Sequence, residues 1–217
     1  LYLYSDSNSC LMKLGMIGET VVNLMFTYDR ITLPAENTAV NRIAVLFREG
    51  LLTQDLVDIL HALRKVRNKA VHENYASVAD GKVLLQMAHS LCEWFMQTYG
   101  DWNYKNKPFI LPADLPVEAS TDTGAEQEHE KQLSKEAEEK AAASDSVAKE
   151  KRRQQAAKAA SQRQKTEAET RYMIDQQLRQ VGWEADTENL RFSKGTRPVK
   201  GRNLAIAEWP TDSTVGN

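Results

Sequence analysis

Cysteine is scarce: the 217 residues contain two, Cys10 and Cys92. Both lie in apolar stretches with helical spacing and read as buried free thiols. A disulfide-stapled scaffold is therefore excluded, and a reducing, cytoplasmic setting is expected. With the four histidines, the cysteines form no zinc-like ligand spacing. An excess of charge of one sign is also missing. The 28 lysines and arginines face 30 aspartates and glutamates, for a formal net charge of −2. No general basic field is available for nucleic acid, so any DNA contact must come from a local patch. No uninterrupted apolar run reaches the roughly 18 residues that a membrane span requires, and no signal peptide is visible. No membrane partner is expected. A phosphate-binding Gly-x-x-x-x-Gly-Lys-Ser/Thr loop is absent from the sequence.

Apolar residues recurring every three or four positions are plentiful up to about residue 112. Cys10, Leu14, Ile17, Val21, Leu24 and Tyr28 mark one amphipathic helix. Ile43, Leu46 and Phe47 mark a second, with Gly50 placed to end it through a left-handed cap. Thr53 is placed to cap a third helix through Leu56, Ile59, Leu60, Leu63, Ala70 and Val71. Ser77 is placed to cap a fourth, with Leu84, Leu85, Ala88, Leu91, Phe95 and Tyr99 inside and Gly100 at its end. Four helices with short connections predict a small bundle. Lys107-Pro108-Phe-Ile-Leu-Pro112 cannot continue a helix and should run extended along the bundle surface.

From 113 to 165 the composition shifts to Ala, Glu, Lys, Gln and Ser. Helix propensity is high, but Leu133 and Val147 make no heptad seam. A solvated helical spacer is expected, with partial disorder as the competing reading. Lys151-Arg152-Arg153 reads as a charged face of it, with DNA contact as the sharper alternative.

From 166 to 217 globular character returns. Thr166-Glu-Ala-Glu169 has the form of a capping box, and Tyr172, Met173, Ile174 and Leu178 give a core face. Gly182 should stop this helix, with Trp183 folding back onto it. Leu190 to Phe192 and Leu204 to Trp209 read as short strands. One helix and two strands cannot bury themselves, so this is expected to be the opening of a larger α/β domain. The ends, Leu1-Tyr-Leu-Tyr4 and Thr214-Val-Gly-Asn217, read as cut.

Chemistry is sought first in Arg67-Asn68-Lys-Ala-Val-His72. Helical geometry puts Asn68 and His72 on one face, within reach of the long Arg67 side chain. A histidine moves protons near neutral pH, and a neighbouring arginine can hold a phosphate. The plainer role has Asn68 and His72 lock the helix to its neighbours through buried hydrogen bonds. The spacing resembles the Arg-polar-x-x-x-His motif of HEPN domains, helical bundles of which some are metal-independent ribonucleases. That resemblance implies a catalytic set of Arg67, Asn68 and His72, completed across a dimer.

A longer succession lies near the C-terminus. Met173-Ile-Asp-Gln-Gln-Leu-Arg-Gln-Val-Gly-Trp183 precedes Leu190-Arg-Phe-Ser-Lys-Gly-Thr-Arg-Pro198 and Ala205-Ile-Ala-Glu-Trp-Pro210. This resembles the start of the nuclease domain in the restriction (R) subunits of type I restriction–modification enzymes. The bundle, the extended Pro108 to Pro112 segment and the polar spacer fit the same plan, so the resemblance spans nearly the whole chain. It implies a DNA-cleaving, ATP-dependent translocating parent that uses Mg²⁺ and ATP. It also implies modification and specificity subunits and double-stranded DNA as partners, in defence against foreign DNA.

In that family the Mg²⁺-binding Asp and Glu and the nearby Lys follow the segment that ends this chain. No catalytic residue is therefore expected here, and no cofactor of the chain's own. Glu167 and Glu169 are weak metal candidates, because a carboxylate on the opening helix can assist; the helix macrodipole stabilises carboxylates there in any case. Arg191, Lys194, Arg197, Lys200 and Arg202 are the candidate DNA contacts, against the alternative of a solvated loop.

The expected fold is mainly α: a four-helix-type, HEPN-like docking or regulatory bundle over 1–112, a polar spacer over 113–165, and the start of an α/β restriction-endonuclease-like domain over 166–217. The alternatives are a HEPN-like ribonuclease and a stand-alone interaction module.

Overall fold

The computed structural model describes residues 2–113, 132, 135, 146–163 and 165–210. The chain is mainly helical and divides into two compact units, Leu1–Gln164 and Lys165–Asn217.

The first unit opens with a short helix α1 (Tyr2–Ser5), followed by the long central helix α2 (Ser7–Asp29). Asp6 caps α2 by accepting from the Ser9 N–H at 3.0 Å. Of the face read from the sequence, Cys10, Leu14, Val21, Leu24 and Tyr28 are buried and Ile17 is half-buried. By length and composition α2 could also cross a membrane. Its apolarity has another use here, because both α4 and α5 pack on it. Leu11 and Met25 are fully buried.

Helix α3 (Ala39–Arg48) starts at a Thr38 cap and ends, as expected, before a left-handed Gly50 at φ 70°. Helix α4 (Gln54–His72) begins after Thr53, but the capping expectation fails in detail. The Thr53 hydroxyl is buried and makes no hydrogen bond, while its carbonyl accepts from Val57. Helix α5 (Val78–Phe95) starts at the predicted Ser77 cap, whose Oγ accepts from the Asp80 N–H at 3.1 Å. It widens into a π-helical turn, Met96–Gly100. That turn presents Tyr99 to Phe95 in a stack with ring centres 4.9 Å apart, and to Tyr28 at 5.4 Å. The segment after Gly100 runs without helix over the surface, as expected. There the Tyr4 hydroxyl donates to the Pro112 carbonyl and the Phe109 ring meets His89.

Two glycines set how closely α2 and α4 approach. A Cβ at Gly15 would stand 2.3 Å from Arg67 Cβ, and one at Gly18 would touch Leu63 and Leu60. Leu63 fills this seam and is completely buried.

The solvated-spacer expectation is corrected over its second half; most of 113–145 lies outside the described residues. Helix α6 (Ser146–Ser161) packs on α5 and on the π-turn. Ala156 and Ala159 are buried, and the buried Trp94 Nε1 donates to the Ala156 carbonyl at 3.1 Å. The physical reason is size. Small alanines let this backbone approach Trp94 closely, so no large apolar residue is needed.

The second unit begins with α7 (Glu167–Gln180), capped by the Thr166 hydroxyl on the Glu169 N–H as its sequence predicts. The helix closes in a Schellman turn. Gly182 at φ 84° donates to Arg179, and Trp183 donates back to the Leu178 carbonyl while its ring stays exposed. A two-residue strand β1 (Glu184–Ala185) then pairs in parallel with β2 (Leu204–Ala205).

Strand expectations are corrected here. Leu190 to Phe192 contributes only an Arg191–Ala207 bridge, because a 3₁₀ turn (Phe192–Lys194) and a left-handed Gly195 turn the chain away. Strand β2 does not extend to Trp209, because Glu208 adopts a left-handed φ of 57°.

Candidate functional site

Three groups of polar residues compete for a functional role. The first lies on the C-terminal half of α4. Arg67 lays its side chain across Gly15 and places Nη1 2.8 Å from Glu19 Oε1 on α2. Asn68 and His72 are exposed, and neither side chain bonds another described residue. The interlocking role expected of them is therefore corrected: both point away from the seam they would have to bridge. Arg67 serves that seam instead. Its guanidinium is occupied by a carboxylate, whereas Asn68 and His72 face solvent.

The second group is the run of cations in the second unit. Arg191 donates to the Thr187 carbonyl and pairs with Glu208 at 3.1 Å. Arg202 grips Glu184 through Nε at 2.8 Å and through Nη2. That ion pair holds the Glu184 carboxyl below its ordinary range. Arg197 lies over the Phe192 ring at 3.8 Å and donates to two backbone carbonyls. Lys194 and Lys200 are exposed and, among the described residues, have no carboxylate partner. Of the five candidates, these two and Arg197 have no counter-charge, and the two lysines alone are unengaged by any described group.

Glu167 and Glu169 part company at the start of α7. The Glu167 side chain is 77% exposed and is held by Arg171. Glu169 is buried within the capped first turn. The pair is not joined by a third ligand. Among the described residues no group of three or more His, Cys, Asp or Glu stands ready for a metal ion.

Sequence reasoning missed the third group. Asp29, at the end of α2, has a side chain sealed from solvent. It accepts from the Tyr99 hydroxyl at 2.8 Å and from Arg152 Nε on α6 at 2.8 Å. Burial, with the Asp29 charge next, raises the Tyr99 pKa well above its ordinary value, so the phenol remains a donor. Around this centre Lys149 and Arg153 both reach Glu49, and Arg163 pairs with Asp55. The Lys149 ammonium, bonded to Glu49, leads in lowering that carboxyl's pKa. Lys151-Arg152-Arg153 is thus a partly occupied structural face. A signal was available in Asp29 itself: an acid beside the core residue Tyr28, with a basic partner more than a hundred residues away.

A family model described as a domain of unknown function, DUF4145, matches residues 1–143, more than half of the chain. The chain belongs to this family. The DUF4145 match takes in the bundle through α5. A second model, described as the second domain of the type I restriction enzyme EcoKI endonuclease subunit, matches residues 184–217, from β1 onward. Helices α6 and α7 lie between the two matches. The chain is also 31% identical, over 258 aligned residues, to the type I restriction enzyme EcoKI endonuclease subunit of Escherichia coli (strain K12). That alignment covers 95% of this chain and 22% of the relative, so the chain spans about a fifth of the curated protein that it matches. No solved structure matches it. The resemblance to R subunits of type I restriction enzymes, read from residues 173 to 210, is shown by these matches.

Proposed function

We propose that this DUF4145 chain works within the R subunit of a type I restriction system, a DNA-cleaving, ATP-dependent translocase that defends the cytoplasm against foreign DNA. The observation that carries this reading is likeness to an endonuclease subunit along nearly the whole chain. The first unit acts as a docking or regulatory module toward the modification and specificity subunits. The second unit belongs to the nuclease side and meets double-stranded DNA through Lys194 and Lys200, the two exposed lysines of the cluster with no ion pair. Mg²⁺ and ATP serve the complete subunit. Cleavage is not assigned to the residues of these two units.

A metal-independent ribonuclease built on Arg67, Asn68 and His72 fits less well, because Glu19 already holds Arg67. A stand-alone interaction module has no use for a second unit resembling a restriction endonuclease domain.

The test is assembly. Mixed with the modification and specificity subunits of its own system and a DNA duplex, the chain should elute in their complex on size exclusion. Replacing Lys194 and Lys200 by Gln should lower the slope of log affinity against log salt by about one for each phosphate no longer neutralised. Elution of the chain apart from both subunits and DNA would remove the docking reading.

A further inference from the structure

Between α2, α3 and α4 lies a cavity of about 250 Å³, lined by Gly15, Gly18, Val22, Ile43 and Leu60. Its polar rim is Glu19, Asn23, Arg42 and Arg64. The lone carboxylate is already matched, since Glu19 binds Arg67. Arg42 is held only by neutral acceptors, Asn37 Oδ1 at 2.6 Å and Asn23 Oδ1. Arg64 bonds no described residue, and its Nε is sealed from solvent without an acceptor. Two guanidinium charges therefore face one cavity uncompensated, and one of them carries a buried orphan N–H. A buried donor in that state is costly unless something accepts from it. The positive field reaches the neighbours on α4. Burial, with Arg64 next, lowers the pKa of both His61 and Lys65.

We infer that this cavity binds a small molecule with an oxyanion head, a phosphate monoester by preference, gripped between Arg42 and Arg64. Guanidinium forks match phosphate oxygens in pairs. Val22, Ile43 and Leu60 meet the less polar body. The site is distinct from the exposed face of Asn68 and His72 and from the second unit's lysines. It would make the bundle a sensor for a phosphorylated metabolite, independently of the restriction reading.

Isothermal titration of the full chain with inorganic phosphate and with adenosine monophosphate, against chloride at matched ionic strength, tests this. One saturable site per chain is expected. Arg64→Gln and Arg42→Gln should each weaken it by about tenfold, the loss of one charge-assisted hydrogen bond. Helical circular dichroism accompanies each variant, and should Arg64→Gln fail to fold, Arg42→Gln on the rim carries the test. Absence of saturable binding by the folded wild type, or unchanged binding in a folded variant, overturns the proposal. So does equal competition by a DNA duplex, which would make the site a backbone contact.

Discussion

Leu11, Met25, Leu63, Met87 and Trp94 are sealed inside the first unit, and charged groups gather at its flank where α6 docks. Among the described residues, the second unit has no large apolar side chain buried to that degree. Its deeply buried residues are Tyr172 and Ala185 beside two carboxylates, Glu169 and Asp175. Asp175 accepts from both the N–H and the hydroxyl of Thr187, each at 2.7 Å, and Arg179 donates to the Ala185 carbonyl. One unit is thus stabilised chiefly by apolar burial with a few buried polar clasps, the other chiefly by hydrogen bonds from side chain to backbone. The contrast teaches where each is fragile. A core tolerates removal of a surface partner, whereas a unit organised around one carboxylate depends on that carboxylate.

The largest effect should come from Asp29→Ala. It strips the acceptor from Tyr99 and leaves Arg152, 12% exposed, without its counter-charge. Removing one partner of a buried pair costs about 3–5 kcal/mol, read by urea unfolding. A loss below about 1 kcal/mol would show that the clasp is ornamental to the first unit.

Asp175→Ala should cost the second unit less, about 1–3 kcal/mol, as two donors on Thr187 lose their acceptor. Hydrogen exchange should quicken at the Thr187 amide and in β1, with the first unit unchanged. Slow exchange in β1 of the variant would mean that apolar burial holds the second unit after all.

The smallest effect concerns pH. His61 has its folded pKa lowered, chiefly by burial, from an ordinary value of 6.5. Its contribution to stability is present above 6.5 and is lost as pH falls from there through the lowered value, because the unfolded chain takes up the proton first. The first unit should melt earlier as pH drops through this window, and His61→Gln should flatten the dependence. The second unit has no histidine and should show no such slope. An unaltered slope in His61→Gln would assign it to another group.

The bundle was legible in the sequence because apolar period and capping residues agree there. Of the caps read from the sequence, Ser77 and Thr166 bond as N-caps and Thr53 does not, and Gly50 and Gly182 both take left-handed conformations. Helix α6 was misread as solvated because its anchors, Asp29, Glu49 and Asp55, lie about a hundred positions away, where periodicity carries no signal. Strand β1 was missed because two residues cannot show alternation. The cations of the second unit were legible as a cluster. That Glu184 and Glu208 would neutralise two of them required the fold, since parallel pairing brings residues about twenty apart into contact.

Helix α6 also bears on handling. A chain cut after Pro112 would keep every helix of the bundle through α5 and still lose a wall of it. Trp94 would forfeit the Ala156 carbonyl, and the Asp29 charge would be left facing an opened apolar strip around Tyr99. Such a piece would be prone to self-association through that strip. The practical boundary of the folded module is thus set near Arg163 by a stretch whose composition resembles linker.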